Sequence, residues 1–177
     1  MTPGAATRPA REERPGARSR WCQPAAELAV SAQLWLAAGA VEVVLRRRGL
    51  PALVAAAGRA ARSPAARWFP AGRRTLTDPW LDQLVTRAGA AWRGTEGCLP
   101  RSVLRCWLAA SDGQAASVVV GVRRATGTPF AAHAWAQVDG HAHAADAGPA
   151  GSFQPIATYP LTPPAPTTGT APRCEER

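Results

Sequence analysis

HAWAQVDGHAHAAD, residues 133–146, contains all three histidines of this 177-residue chain and two aspartates, Asp139 and Asp146. Asp-Gly between two alternating runs is a strong hairpin signal, because both residues accept the positive φ of a type I′ turn. With Asp139 and Gly140 as the loop residues, Val138 faces His141 and His133 faces Asp146. Directly opposed side chains have Cβ atoms about 5 Å apart on one face of the sheet. That separation suits a carboxylate accepting a hydrogen bond from an imidazole. His141 and His143 fall opposite Val138 and Ala136 and project to the other face. In this register the three histidines do not converge on one metal. A non-enzymatic metal-binding module built on His141, His143 and a cysteine lacks a further ligand at recognisable spacing. The ordinary reading of such histidines is the polar outer face of a hairpin.

Outward from the hairpin, SVVVGVRR (117–124) is β-branched and reads as a buried strand. Residues 126–129 read as a turn, and 130–138 and 141–146 as the two hairpin strands. Upstream the period is helical. CLPRSVLRCWLAASDG (98–113) has Pro100 in its first turn, Leu99, Val103, Trp107 and Ala110 on one face, and a Ser-Asp-Gly stop. TLTDPWLDQLVTRAGAAW (75–92) starts with Asp78 as cap and Pro79 at the first helical position, and aligns Leu81, Leu84, Val85, Ala88 and Trp92. Residues 24–48 and the Ala-rich 51–62 read as two further helices. Helices followed by an antiparallel sheet define an α+β fold. The organisation expected is a basic arm over 1–22, a helical region over 23–93, a catalytic core over 94–159 and a Pro/Thr-rich tail over 160–177. The arm and the tail lack the large apolar side chains that would offset the entropy of ordering and are expected to be disordered.

The formal charge is +9, and all 21 basic residues are Arg. They are spread along the chain, with one Tyr and three Phe and no aromatic-basic reading motif. Electrostatics of that kind supports only non-specific contact with nucleic acid, so no nucleic-acid partner is expected. Cys22, Cys98, Cys106 and Cys174 form no CxxC pair. Cys98 and Cys106 on one helix would lie about 12 Å apart, too far for a disulfide. A reduced, cytoplasmic chain follows. The apolar run from Leu28 to Leu45 is interrupted by Gln33 and Glu42 and ends in Arg46, Arg47 and Arg48. Its clean apolar part falls short of the roughly 20 residues of a span. It reads as a buried or docking helix, with membrane contact the lesser alternative.

A histidine oriented by an aspartate is a general base in search of a nucleophile. Cys98 supplies one, because it stands at a helix start, where the helix dipole and a neighbouring imidazolium both favour a thiolate. A cysteine near a helix start is more often a small buried residue, and a strand histidine more often structural. The hairpin pairing lifts His133 and Asp146 above those ordinary readings, and Cys98 is the nucleophile they would serve. Asp139 belongs to the turn.

The segments GCLPRSVLRCWLAASDG (97–113), SVVVGVRR (117–124), PFAAHAWAQVDG (129–140) and SFQPI (152–156) resemble, in order and spacing, the stand-alone protease part of the lasso peptide biosynthesis B proteins. These are transglutaminase-like (papain-like) cysteine peptidases that remove the leader from a ribosomally made precursor. The resemblance covers roughly residues 80–157. It implies Cys98 as nucleophile, His133 as base and Asp146 as acid. Gln137 stands where the family often has Glu, and Asp146 lies one residue beyond the usual spacing of the acid. No cofactor or metal is implied. The partners implied are a precursor peptide, a separate leader-recognition protein and an ATP-dependent macrocyclase. A transglutaminase-like amidase or acyltransferase with another substrate would use the same triad.

Overall fold

The structure, a computed structural model, describes residues 19–93, 97–123 and 130–161. The expected turn at 126–129, most of the basic arm, all but the first residues of the tail, and Cys174 lie outside the described residues. The chain order is α1 (Ser19–Ala61), α2 (Asp78–Arg93), α3 (Cys98–Ser111), β1 (Ala116–Arg123), β2 (Ala131–Val138), β3 (His141–Ala142), α4 (Ala147–Ala150) and β4 (Gln154–Pro160), with 3-10 turns at Pro64–Trp68 and Arg73–Thr75. The two expected N-terminal helices are two arms of α1, which bends at Gly49. Gly49 has φ 76°, a conformation that costs glycine little, and Pro51 then enters the second arm within its first turn. α1 begins at Ser19, so Cys22 is helical rather than part of the arm.

α3 is the centre of the molecule. Its buried residues lie on more than one face: Val103, Leu104, Cys106, Leu108 and Ala110 are joined by the polar Ser102, Arg105 and Ser111. The single apolar stripe expected from Leu99, Val103, Trp107 and Ala110 is therefore too narrow, because α3 is covered by α1 and α2 on one side and by the sheet on the other. Leu84, Val85 and Ala88 of α2 are buried as their spacing predicts, but Trp92 stays 37% exposed. Its ring lies tilted against Trp35 at 4.8 Å and its indole N–H donates to the Trp35 carbonyl at 3.0 Å.

The sheet is antiparallel in the order β3-β2-β1-β4. One core contains Val30 and Leu34 of α1, Val85 of α2, Val103 and Leu104 of α3, and Val118 and Ala136 of the sheet. The helical region and the segment from 94 onward thus fold around common side chains. A smaller cluster of Val119, Trp135 and Ala150, with Phe153 against it, occupies the other side of the sheet.

Two strand expectations need correction. The hairpin register is the expected one, with Val138 opposite His141 and Gln137 opposite Ala142, and Asp139 and Gly140 have φ 49° and 83°. The second strand nevertheless ends at Ala142 instead of running to 146. After one more bond, His143 N–H to the Ala136 carbonyl at 2.8 Å, the chain turns, with Asp146 N–H donating to the His143 carbonyl at 2.7 Å. β4 is a strand that the sequence pattern does not predict. Pro155 and Pro160 argue against a strand because they cannot donate to a ladder, and β4 tolerates them as the sheet's edge, bonded only to β1 with an irregularity at Val120 and Gly121.

Candidate active site

Cys98 opens α3, with Gly97 as the residue before the helix. The first intrahelical bond is Arg101 N–H to the Gly97 carbonyl at 3.2 Å. The N–H groups of Cys98 and Leu99 precede it without an intrahelical acceptor, and Pro100 has no N–H to offer, so among the described residues the helix start presents free donors beside the thiol. Cys98 is a free, half-buried cysteine.

One turn on, Ser102 is fully buried, and its hydroxyl lies 2.8 Å from the Cys98 carbonyl and 3.0 Å from the Ala134 carbonyl. This hydroxyl joins the turn that carries Cys98 to β2 at the residue following His133. His133 itself is half-buried, stacked on Trp135 with ring centroids 6.3 Å apart and tilted against Phe153 at 5.1 Å. Gly121, opposite His133 on β1, keeps the space for this group, since a Cβ there would stand 2.7 Å from the Trp135 ring. The His133 Nε2 is shut from solvent and has no hydrogen-bond partner among the described residues. Burial holds the imidazole below the ordinary histidine value; the Asp146 charge opposes that shift and the Arg101 charge adds to it. The site therefore favours a neutral ring with a free nitrogen.

Asp146 is fully buried but is not hydrogen-bonded to His133. Its Oδ1 accepts Arg105 Nη1 at 2.8 Å, its Oδ2 accepts the Ala136 N–H at 3.2 Å, and Arg101 Nη2 stands 3.8 Å away. Arg105 in turn donates from Nε to Asp82 at 2.6 Å and from Nη2 to the Thr86 hydroxyl at 3.2 Å. The direct pairing across the ladder is thus replaced, because the strand stops four residues short of Asp146 and a buried guanidinium takes the carboxylate. Asp146 reaches His133 through its charge.

The other histidines are elsewhere. His141 is exposed, its Nδ1 2.9 Å from the Asp139 carbonyl, and His143 Nδ1 stands 4.0 Å from Asp82. Among the described residues no group of three His, Cys, Asp or Glu side chains is placed to hold a metal ion. Cys106 donates its thiol to the Ser117 carbonyl at 3.1 Å, and burial pushes it up to about 12. A cleft of about 570 Å³ opens between α2, α3 and the end of β2, lined by Asp82, Arg105, Asp112 and His143 but by neither Cys98 nor His133. The sequence reading missed Ser102, Arg101 and Arg105. Ser102 and Arg105 sit on helix faces that the apolar spacing did not mark as buried, and no local signal announces their partners 32 and 41 residues away.

Residues 36–158 match the family model of the transglutaminase-like superfamily. The match takes in more than half of the chain, from the first arm of α1 to β4, and the chain belongs to that superfamily, whose members are typically cysteine peptidases or transglutaminase-type acyltransferases. No curated protein and no solved structure matches it.

Proposed function

We propose that the protein is a cysteine endopeptidase that removes the leader from a lasso peptide precursor, with Cys98 as nucleophile, His133 as general base and acid, and Asp146 as the acidic partner of His133. The observation that carries this reading is the Ser102 bridge, which ties the turn bearing Cys98 to β2 beside a histidine whose Nε2 is unpartnered. Cys98 stands at the unsatisfied N-terminus of a 14-residue helix, where developing negative charge is stabilised. The Cys98 thiolate attacks the carbonyl carbon of the leader–core bond, and the oxyanion is received by the Cys98 N–H. The His133 imidazolium protonates the departing core amine as the C–N bond breaks. Water then attacks the acyl-enzyme, giving its proton to His133, and the leader carboxylate leaves with the thiol restored. Asp146 supports the imidazolium through its charge. The partners are the precursor, a separate leader-recognition protein and an ATP-dependent macrocyclase that takes the freed core, all in the cytoplasm.

Incubating the precursor with the protein, with and without the leader-recognition protein, and weighing the products tests the reading. Cys98→Ala and His133→Ala should each reduce leader removal by at least about a thousandfold, the usual loss when a nucleophile or its base is removed, while circular dichroism stays unchanged. Processing that persists in Cys98→Ala would sink the mechanism. A product heavier than hydrolysis allows, with an amine joined to the leader, would assign the same thiol to acyl transfer.

A further inference from the structure

We propose that the outer face of α1 docks on an anionic lipid bilayer, lying along it rather than crossing it. The segment Pro24–Ala61 is long and apolar enough to cross a membrane by length and composition alone, yet only 28% of its most apolar window is buried. The core side of the first arm, Val30, Leu34 and Ala38, packs into the protein, which holds the helix at the surface. The two polar residues that interrupt the apolar run are both engaged within the protein. Gln33 accepts the Ala71 N–H at 2.9 Å and donates to the Ala71 carbonyl at 3.4 Å. Glu42, 3% exposed, accepts Arg46 Nε at 2.6 Å.

The outer face left behind carries no charged side chain from Leu28 to Val43, the half-buried Glu27 standing just before it. Leu28, Trp35, Leu36 and Val43 stand 74%, 46%, 63% and 47% exposed, and the stripe they mark is about 22 Å long at 1.5 Å per residue. Trp92, whose ring lies tilted against Trp35, widens it. The stripe runs directly into Arg46, Arg47 and Arg48, all exposed. Past the bend at Gly49 the second arm brings Arg59 to the same elbow, where Arg47, Arg48 and Arg59 rim a cleft of about 510 Å³ over Val43, Val44 and Ala56. Arg47, Arg48 and Arg59 make no ion pair with any described residue.

Charge selects the occupant. A second copy placed on this face by two-fold symmetry would meet the same uncharged, Arg-ended surface and gain no neutralising partner. An apolar stripe with tryptophan at its middle and arginines at its end suits the headgroup boundary, with the stripe in the acyl region and guanidiniums on lipid phosphates. The inference concerns a surface apart from the candidate active site, and its readout needs no peptidase activity.

The test is sedimentation of the full chain with phosphatidylcholine vesicles, with and without phosphatidylglycerol, together with its tryptophan emission. We expect binding and a blue shift with the anionic vesicles and at least about tenfold weaker binding to the neutral ones, since each arginine near an anionic surface contributes roughly fivefold in affinity. Leu36→Asp, and separately Arg47→Glu with Arg48→Glu, should each weaken binding about tenfold or more with circular dichroism unchanged. No sedimentation with anionic vesicles overturns the proposal, as does binding that both variants retain. So does a chain that ignores vesicles but forms a dimer that Leu36→Asp splits, which would make the occupant a second copy.

Discussion

Cys98 and Cys106 share one helix and differ in place and burial, Cys98 standing half-buried at its start. Cys106 is fully buried with its thiol against the Ser117 carbonyl, and burial raises it from 9.0 to about 12. A group whose folded value lies above its unfolded one contributes stability that is present below pH 9.0 and is lost as pH rises toward about 12. Denaturant midpoints compared at neutral pH and at about pH 10.5 should show wild type losing roughly 2 kcal/mol more than Cys106→Ala. Equal losses would mean that the thiol is not withheld from solvent. His133 has the opposite sign. Burial holds its imidazole below 6.5, so a neutral base persists to lower pH and the acid limb of kcat/KM should lie below that value. Arg101 adds to the depression, so Arg101→Gln should move the limb upward. A limb that stays in place in that variant would remove Arg101 from the electrostatics of the site.

Between elements, two polar devices fix where the site can form. Ser102 holds the first turn of α3 to β2, and Ser102→Ala should cost about 1–2 kcal/mol for the carbonyls left short of a donor. On the proposed function the same change should lower kcat more than it raises KM, because the turn that carries Cys98 loses its tie to β2 while the substrate surface stays. Asp146 joins β2, α4 and α3 through Arg105, and Asp146→Ala should destabilise the fold by about 3 kcal/mol or more by leaving a buried guanidinium with one carboxylate fewer. Thermal unfolding checks this, and an unchanged midpoint would assign Asp146 to catalysis alone. These devices also mark how far the sequence was readable. The helices, β1, β2 and the Asp139–Gly140 turn follow from periodicity and turn chemistry, as does the place of Cys98 at a helix start. The stop of β3 after Ala142, the capture of Asp146 by Arg105 and the strand at β4 do not, because each is decided by a long-range partner. β4 carries two prolines that local rules count against it and survives on one row of bonds to β1.

At the scale of the whole molecule, the helical region is part of the catalytic fold. Val30, Leu34 and Leu53 of α1, Leu84 and Val85 of α2, and Leu161 after β4 share one core with α3 and the sheet. The end of the sheet is pinned on α1 itself, since a Cβ at Gly58 would stand 2.5 Å from the Leu161 carbonyl. The family match runs across the same elements, beginning at residue 36 within α1. Removing the helices would strip one side of α3 and expose Val103 and Leu104, each 1% exposed in the whole chain. Transfer of such side chains to water costs about 1.5–3 kcal/mol each, and a small domain's total stability is only about 5–15 kcal/mol. A fragment starting at residue 94 should therefore fail to fold, although it holds Cys98, His133 and Asp146. The whole chain should unfold in one transition, with far-ultraviolet dichroism and tryptophan fluorescence superimposing along the denaturant curve. Separate transitions for the two signals, or a fragment with dispersed amide resonances, would show that the sheet and α3 stand without the helices. The Ser102 bridge and the packing of Val103 and Leu104 on Val118 and Ala136 would then suffice to hold α3 on the sheet.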